Sequence, residues 1–375
     1  MRREPDSGIA NVRRLAYFES FFNPVAERML AARPEIALVP LRYAAPAAES
    51  WHELARAHGY QIKPRGELVE PWFGDEALLR RCPSLLAISS SGAGFDMVDV
   101  DSCTAAGIIV CNQSGFNKEA VAEHTLGFML SLAKKIGIAD RVLRRESIRD
   151  RFRFVGNDIR GKTVGIIGIG QIGTRTAELC RGLFAMSVLA YDPYLSVEQI
   201  GARGATKVAL DELLRRSDFV LLHCPRNRET LGMIGREQFA LMKSTAFFIN
   251  TARGGIHKED DLAEALHAGR IAGAALDVFQ QEPPQPDHPL LAFDNVIVSP
   301  HNAGMTEEAL PDMAAAAAEQ WIEIFAGAVP PRLVNPETWP LYAARFEQIF
   351  GFAPDPLPGG KPAVAAPDAP SQSQE

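Results

Sequence analysis

The stretch Thr163–Gly173, TVGIIGIGQIG, decides the fold. An apolar run typical of a buried strand is followed at once by the spacing GxGxxG, formed by Gly168, Gly170 and Gly173, and then by a helix-forming sequence, TRTAELCRGLF. In this context the first glycine permits a tight turn, the second lets the backbone approach a pyrophosphate, and the third allows the helix to pack closely on the strand. The stretch therefore predicts a parallel α/β sheet of the dinucleotide-binding type.

Residues around this turn predict which dinucleotide binds. Gln171 and Ile172 stand at the tip of the turn, where their main chain is expected to contact phosphate at the helix N-terminus. Asp192 ends the next predicted strand, nineteen residues after Gly173, where a carboxylate accepts hydrogen bonds from the adenosine ribose diol. Its neighbours Pro193 and Tyr194 supply no positive charge, so the 2′-phosphate of NADP would meet a repulsive carboxylate. NAD is therefore the predicted cofactor.

Short apolar runs alternate with helix-period segments on both sides of this stretch, which is the pattern of parallel βαβ units. Six strands are predicted from Thr163 onward: Thr163–Ile167, Val188–Asp192, Phe219–His223, Ala246–Asn250, Ala272–Asp277 and Val296–Ser299. Four are predicted before it: Val12–Phe18, Ile36–Leu41, Leu85–Ser89 and Ile108–Cys111. The expected fold class is α/β, with two Rossmann-like or flavodoxin-like parallel-sheet lobes and a cleft between them.

Bulk composition fits two folded domains and argues against several kinds of partner. The chain has 375 residues, 47% of them apolar and 23% charged, with a formal net charge of −7 and no Lys/Arg stripe that would predict nucleic-acid binding. The five cysteines lack CxxC spacing, His, Cys and acidic residues lack metal-ligand spacing, and no apolar run predicts a signal peptide or membrane helix. A cytoplasmic protein without a metal is expected. From Ala353 the sequence becomes rich in Pro, Ala, Gly and Ser, which predicts a disordered tail over 353–375.

Three further polar segments, INTARGG, ALDVFQQEPP and SPHNAG, each follow a predicted strand at its carboxyl end, where open α/β sheets bind ligands. Arg253 in the first offers a planar fork that matches a carboxylate. Glu282 in the second is an acceptor, and His301 in the third belongs to the residue type that most readily exchanges a proton. An anchor, a proton donor and a carboxylate that orients the donor are the groups that reduction of a 2-oxo acid needs.

From Leu85 to Thr306 the sequence resembles the D-isomer-specific 2-hydroxyacid dehydrogenases, which include phosphoglycerate dehydrogenases, glyoxylate/hydroxypyruvate reductases and D-lactate dehydrogenases. Seven motifs stand in the order of that family: SGAGFDMVD at Ser91–Asp99, NQSGFNKEAVAEHTLG at Asn112–Gly127, GIGQIG, HCP, INTARGG, ALDVFQQEPP and SPHNAG. The resemblance implies hydride transfer between NAD and C2 of a small D-2-hydroxy or 2-oxo carboxylate. Candidate substrates are 3-phosphoglycerate, hydroxypyruvate and glyoxylate.

The resemblance also implies roles for individual residues. Arg253 is expected to bind the substrate carboxylate and carbonyl, His301 to act as acid/base, and Glu282 to hydrogen-bond His301. The residues implied around the cofactor are Cys224, Thr251 and Ala252 through their main chain, Asp277 at the nicotinamide carboxamide, and Gly304. The loop of Ser91, Gly92, Ala93 and Gly94 is expected to hold the substrate carboxylate through its N–H groups.

As in that family, a discontinuous substrate-binding lobe is expected, formed by residues 1–117 and 305–352 around an NAD-binding lobe of residues 118–304. No C-terminal regulatory domain, such as some phosphoglycerate dehydrogenases carry, is expected after Gly351. A homodimer is expected, held through the apolar helix Glu119–Ile136 and the arm Glu146–Arg160.

Other functions fit the same motifs. Formate and phosphite dehydrogenases share the architecture; the formate enzymes pair a glutamine with the histidine, so Glu282 weighs against formate, whereas phosphite stays open. A binding protein that senses NADH, like the C-terminal binding protein corepressors, keeps the fold and the triad and also stays open. Four further polar residues are interpreted as structural: Asp96 and Asp99 as turn and cap residues, and His124 and His223 as histidines without an acid/base role.

Overall fold

The computed structural model describes residues 12–64 and 67–358, which form two lobes, each around one parallel sheet. The strands of the first lobe are β1 Arg13–Phe18, β2 Ile36–Leu41, β3 Gly59–Ile62, β4 Ala87–Ser90 and β5 Ile109–Cys111. Its helices in this part of the chain are α1 Pro24–Ala31, α2 Ala47–Leu54, α3 Glu76–Arg81 and α4 Val100–Ala105. The strand order β2-β1-β3-β4-β5 is flavodoxin-like.

The second lobe contains the glycine-rich turn. It begins with α5 Lys118–Ala133, α6 Ile136–Leu143 and a 3-10 helix, Arg151–Phe154. Strands and helices then alternate: β6 Thr163–Ile167, α7 Gln171–Phe184, β7 Ser187–Tyr191, α8 Val197–Ala202, β8 Thr206–Lys207, α9 Leu210–Arg216, β9 Phe219–Leu222, α10 Arg236–Leu241, β10 Phe247–Asn250, α11 Glu259–His267, β11 Gly273–Leu276, a 3-10 helix at Pro289–Ala292, and β12 Val296–Val298. The sheet order is β12-β11-β10-β9-β6-β7-β8. The order reverses between β6 and β9, and this switch point is where doubly wound sheets bind their ligands.

After the second lobe the chain returns to the first as α12 Ala309–Ala326, a 3-10 helix at Pro336–Thr338, and α13 Trp339–Phe350. Trp321 of α12 is fully buried, and its indole N–H donates to Gln61 Oε1 of β3 at 2.6 Å. A Cβ on Gly59 would lie 2.5 Å from the Trp321 ring, so only glycine leaves room for the ring at that position of the strand. The returning helix is thus packed into the core of the first lobe.

The predicted α/β fold class, with two parallel-sheet lobes, is confirmed, and most strand bounds agree within one or two residues. Two strands were not predicted. β3, with the sequence GYQI, carries a glycine and a buried glutamine, and β8 is a two-residue edge strand. Neither has the run of apolar residues that identifies a strand in sequence.

The predicted disordered tail begins too early. Within it, the Asp355 N–H donates to Gly327 O at 2.7 Å, the Asp355 carbonyl accepts from Trp339 Nε1 at 3.2 Å, and Leu357 packs against the apolar core of the first lobe. Residues 353–358 are therefore part of the folded lobe. The remainder of the predicted tail, 359–375, lies outside the described residues.

The apolar helix α5 belongs to the core of its own lobe. Nine of its sixteen residues are buried, so its apolar sequence is used within the protomer rather than kept for a partner. Four exposed large apolar side chains follow it, at Ile136, Leu143, Phe152 and Val155. In the described part of the chain no helix is both long and apolar enough to cross a membrane.

Candidate active site

A cavity of about 610 Å³ lies where the carboxyl ends of the two sheets face each other. The segments after β4, β5, β6, β9, β10, β11 and β12 all contribute to its walls. The predicted residues that line it are Gly92, Ala93, Gly94, Gly170, Gln171, Ile172, Cys224, Thr251, Ala252, Arg253, Asp277, Glu282, His301 and Gly304. Both lobes therefore build one site.

The glycine-rich turn has the geometry that a dinucleotide requires. Gly168 has φ +87°, and a Cβ there would lie 2.6 Å from the backbone of Cys224; a Cβ on Gly173 would lie 2.5 Å from Gly168 O. These two glycines are required by packing within the lobe. Gly170 is different, because a Cβ there would meet nothing within 4 Å. Its open face, next to the first turn of α7, leaves room for a pyrophosphate against the helix N-terminus.

Asp192 stands at the carboxyl end of β7, beside the glycine-rich turn. Its Oδ2 accepts from Ile169 N–H at 3.3 Å and its Oδ1 from Tyr194 N–H at 3.1 Å. The carboxylate thereby joins the turn after β6 to the turn after β7, and its position matches that of a ribose-binding acid.

His301 and Glu282 are in direct contact. His301 Nδ1 lies 2.8 Å from Glu282 Oε2, and Glu282 Oε1 accepts from Phe279 N–H at 3.0 Å. An ionised carboxylate can only accept, so Nδ1 carries the proton and Nε2 is the nitrogen left for a ligand. His301 has a left-handed backbone conformation, φ +54°, which is strained for a residue with a side chain and is a feature of functional sites.

Arg253 is held from both lobes. Its Nη1 donates to Ala252 O at 2.7 Å, and its Nε donates to Asp96 Oδ1 of the first lobe at 3.0 Å. Asn250 fixes the turn that carries Arg253, since its Nδ2 donates to Arg253 O at 2.9 Å and its Oδ1 accepts from Ala252 N–H. The guanidinium is therefore oriented before any substrate enters.

Asp96 is a site residue that the sequence interpretation missed. Its carboxylate faces Arg253 and also Arg226, whose Nη2 is 3.8 Å from Oδ2. Burial of Asp96 opposes ionisation, but the charges of the two arginines outweigh it and lower the pKa of the carboxyl below its ordinary value. Asp99, by contrast, caps α4 through Ser102 N–H, as expected. The position of Asp96 inside SGAGFDMVD was the available signal.

Asp277, which is predicted to hold the nicotinamide carboxamide, fixes a neighbouring loop in the structure. It is 1% exposed, and its carboxylate accepts from Ser299 Oγ at 2.5 Å, Asn302 N–H at 2.9 Å and Ala303 N–H at 3.0 Å. These hydrogen bonds fix the loop that carries His301.

In the predicted substrate loop, Ser91 lies behind the cavity wall rather than in it. Its N–H and its hydroxyl both donate to Ile62 O at 2.9 Å, and the hydroxyl accepts from Gln61 Nε2. Ser91 therefore supports the loop from behind, and Gly92, Ala93 and Gly94 are the members that face the cavity. Expecting all four N–H groups to face a substrate was wrong for Ser91, because its N–H is already used.

The two histidines interpreted as structural are both ordered by neighbours. His124 Nε2 lies 3.1 Å from Ser299 Oγ, and His223 Nε2 lies 3.4 Å from Thr176 Oγ1. His223 also lines the cavity, and loss of solvation there lowers its pKa to about 4. No group of three or more His, Cys, Asp or Glu side chains in residues 12–64 and 67–358 is placed to hold a metal ion.

Comparison with known proteins agrees with this geometry. Residues 126–303 match the family model described as "D-isomer specific 2-hydroxyacid dehydrogenase, NAD binding domain". A glyoxylate reductase from Thermofilum pendens is 40% identical over 268 residues, which are 70% of this chain and 78% of that protein. The chain belongs to the D-isomer-specific 2-hydroxyacid dehydrogenase family. NAD is its cofactor, since the matched domain is the NAD binding domain and the glycine-rich turn fits a dinucleotide.

Other relatives in this family differ in length and in the substrate that they are named for. A D-3-phosphoglycerate dehydrogenase from Archaeoglobus fulgidus is 42% identical over 253 residues, or 68% of this chain and 48% of that protein. The chain thus spans about half the length of such phosphoglycerate dehydrogenases. A crystal structure of D-lactate dehydrogenase from Aquifex aeolicus, complexed with NAD and lactic acid, has a TM-score of 0.73 and 29% identity and covers 86% of this chain and 99% of that one.

Proposed function

We propose that this protein is an NAD-dependent dehydrogenase that transfers a hydride between NAD(H) and C2 of a small D-2-hydroxy or 2-oxo carboxylate. The observation that supports this best is the convergence of Arg253 and the Glu282–His301 pair on one cavity beside the glycine-rich turn. This reaction needs a fixed cation for the carboxylate, a carboxylate–imidazole pair in which one imidazole nitrogen faces the substrate, and a turn that binds the dinucleotide.

In the reduction direction, the bound cofactor supplies the hydride. Arg253 anchors the substrate carboxylate through the edge of its guanidinium that Asp96 and Ala252 leave uncovered. Ala93 and Gly94 line the same cavity, and their N–H groups would join Arg253 on the carboxylate, whereas Gly92 N–H is directed to Ser90 Oγ at 3.5 Å. His301 donates the proton from Nε2 to the carbonyl oxygen at C2, while Glu282 stabilises the charged imidazole before transfer. In the oxidation direction the same nitrogen accepts the hydroxyl proton.

The test is turnover of purified protein with NADH and a panel of 2-oxo acids: glyoxylate, hydroxypyruvate, phosphohydroxypyruvate and pyruvate. Formate and phosphite with NAD⁺ complete the panel. We expect NADH oxidation with at least one 2-oxo acid and a ranking that identifies the substrate. Turnover of formate or phosphite alone would overturn the assignment, and tight NADH binding without any turnover would favour a sensing role. His301→Ala is the control, since activity that survives it does not come from this site.

We further propose a cytoplasmic homodimer. The five cysteines are buried thiols, as a reducing compartment favours. Phe152 is 73% exposed and Leu143 62% exposed, and these side chains lie on the segments beyond α5. Several exposed large apolar side chains within one short segment of the chain are typical of an interface. Light scattering at micromolar protein concentration is expected to give twice the chain mass, and a monomer mass would refute the dimer.

A further inference from the structure

The loop that carries Glu282 is tied at both ends by one carboxylate. Glu259, the first residue of α11, accepts from Gln280 N–H at 2.6 Å through Oε1, and its Oε2 lies 3.1 Å from His288 Nε2. The side chains of Glu259 and His288 are 13% and 18% exposed. Glu282 lies on the chain between Gln280 and His288. One largely buried acid therefore closes the loop on which the partner of His301 stands.

The hydrogen bonds of His288 define its protonation. Leu290 N–H donates to His288 Nδ1 at 3.3 Å, where the imidazole caps the 3-10 helix Pro289–Ala292. Nδ1 must then be without a proton, so Nε2 carries the proton and donates it to Glu259. Glu259 is consequently an acceptor on both oxygens, and neither an amide nor a shorter acid reproduces this arrangement.

The start of the same loop also contacts the turn that carries Arg253. A Cβ on Gly254 would lie 1.8 Å from Phe279 O, so the two segments are in backbone contact there. The Phe279 ring is buried and meets the His288 ring edge-on at 5.3 Å. The backbone contact fixes the start of the loop against Arg253, while the Glu259–His288 pair fixes the rest of it.

We propose that Glu259 and His288 are positioning residues for the acid/base: by closing the loop 280–288 they hold the Glu282 carboxylate on His301. Neither residue lines the cavity. They act through Glu282, whose Oε2 must stay 2.8 Å from His301 Nδ1. The inference rests on the proposed dehydrogenase function and extends it to two residues outside the cavity walls.

Two substitutions separate this role from the others that the residues have. Glu259→Gln keeps the size and one acceptor oxygen but places an amide N–H₂ where the second acceptor stood, so one of the two contacts is lost. His288→Asn keeps an acceptor for Leu290 N–H, and with it the helix cap, but is too short to reach Glu259. Asp260→Asn is the matched control, because Asp260 is the next residue of the same helix and is exposed.

The measurements are kcat, KM for the best 2-oxo acid, and KM for NADH. Misplacement of a catalytic group by about 1 Å can cost roughly 100-fold in rate, so we expect kcat to fall about 10- to 100-fold in Glu259→Gln and His288→Asn. Both KM values should stay within about twofold, because Arg253 and the glycine-rich turn are intact. Asp260→Asn should match the wild type. A lower melting temperature with unchanged kcat would mean a purely structural role and would overturn the proposal.

Combining the substitutions tests whether Glu259 acts through Glu282. If it does, the double variant Glu259→Gln/Glu282→Gln should be no slower than Glu282→Gln alone. Losses that multiply would overturn the proposal.

Crystal structures of the two single variants give a reading that does not depend on turnover. We expect the Glu282–His301 contact to lengthen beyond hydrogen-bond distance, and an unchanged contact in both variants would overturn the proposal. Absence of turnover by the wild type would count against the proposed function instead.

Discussion

Gly94 is the position where one added methyl group should separate substrate binding from stability. A Cβ there would lie 1.5 Å from Arg253 Nη2, whereas ordinary van der Waals contact begins at 3.4 Å. The guanidinium must therefore retreat by about 2 Å, the difference between these two distances. Such a movement breaks its 3.0 Å hydrogen bond to Asp96 and withdraws it from the substrate carboxylate.

The expected loss of kcat/KM follows from the hydrogen bonds that Arg253 makes. A hydrogen bond to a charged group is worth about 1.5–3 kcal/mol, and each 1.4 kcal/mol is about tenfold. We therefore expect Gly94→Ala to lower kcat/KM for the best 2-oxo acid roughly 10- to 150-fold. The melting temperature should change little, because a long arginine side chain can swing toward solvent and Arg226 still faces Asp96.

The assay is steady-state kinetics of the variant together with NADH titration by fluorescence, since NADH affinity should be unchanged. Gly182→Ala is the matched control: it is the same substitution, a Cβ there meets nothing within 4 Å, and Gly182 does not line the cavity. If Gly94→Ala reduces the acid as fast as Gly182→Ala does, Arg253 is not the carboxylate anchor and the substrate site is wrongly assigned.

Three other perturbations have defined outcomes. Glu282→Gln keeps the shape of the side chain but removes the charge that stabilises the protonated imidazole of His301, so kcat for 2-oxo acid reduction should fall about 100-fold or more while KM changes little; an unchanged kcat would separate Glu282 from the proton donor. Asp192→Ser should raise kcat/KM for NADPH relative to NADH, because the ribose site no longer repels a 2′-phosphate; an unchanged ratio would place the ribose elsewhere. Burial lowers the pKa of His257 to about 4, so the unfolded chain takes up a proton at this histidine at a higher pH than the folded chain does. The contribution of His257 to the free energy of unfolding is therefore complete above about pH 6.5 and is lost as the pH falls toward 4, by up to about 3 kcal/mol. Chemical denaturation at pH 7 and at about pH 4.5 should show a smaller loss in His257→Gln, and equal losses would exclude this histidine as a cause.

The fold was predictable wherever an apolar run stands next to turn residues, as at β6 and its glycine-rich turn. It was not predictable where a strand depends on distant partners. In β3 the buried Gln61 is satisfied by Ser91 and by Trp321, residues 30 and 260 positions away along the chain. Gly59 is required only because the Trp321 ring occupies that space. No local pattern contains this information.

The apolar sequence of α5 fits two different roles. Its residues were interpreted as a subunit contact, but a helix that is apolar on most sides is equally suited to burial between a sheet and a second helix. The structure places it in that position, with Leu126, Phe128 and Met129 in the same apolar cluster as Val164 and Ile166 of β6. The proposed subunit contact therefore rests more on the exposed side chains that follow α5.

The site was predictable in its reacting groups and not in the groups that hold them. Arg253 and His301 stand in motifs that follow strands, where a cation and an imidazole have few structural uses. Asp96 is 157 positions from Arg253 along the chain, and its acid could equally have capped a helix. Glu259 stands in an acidic first helical turn, the commonest place for an acid without a specific partner.

These acids have one role in common, which is to fix a loop of the site. Each of the proposed catalytic side chains lies on a loop, where backbone position is least determined by regular hydrogen bonding. Asp96 holds Arg253, Asp277 holds the loop of His301, and Glu259 holds the loop of Glu282, so each loop is fixed by a largely buried carboxylate with charged or N–H partners. An ionised acceptor makes hydrogen bonds about twice as strong as a neutral one, which suits the fixing of a loop at one point. Loss of catalysis before unfolding is the expected consequence at moderate urea concentration, because a loop that is fixed at one point can open while the apolar cores of the two lobes stay intact. Activity and near-ultraviolet circular dichroism measured on the same samples across a urea titration would check this, and coincident loss of both would show that the loops and the cores fail together.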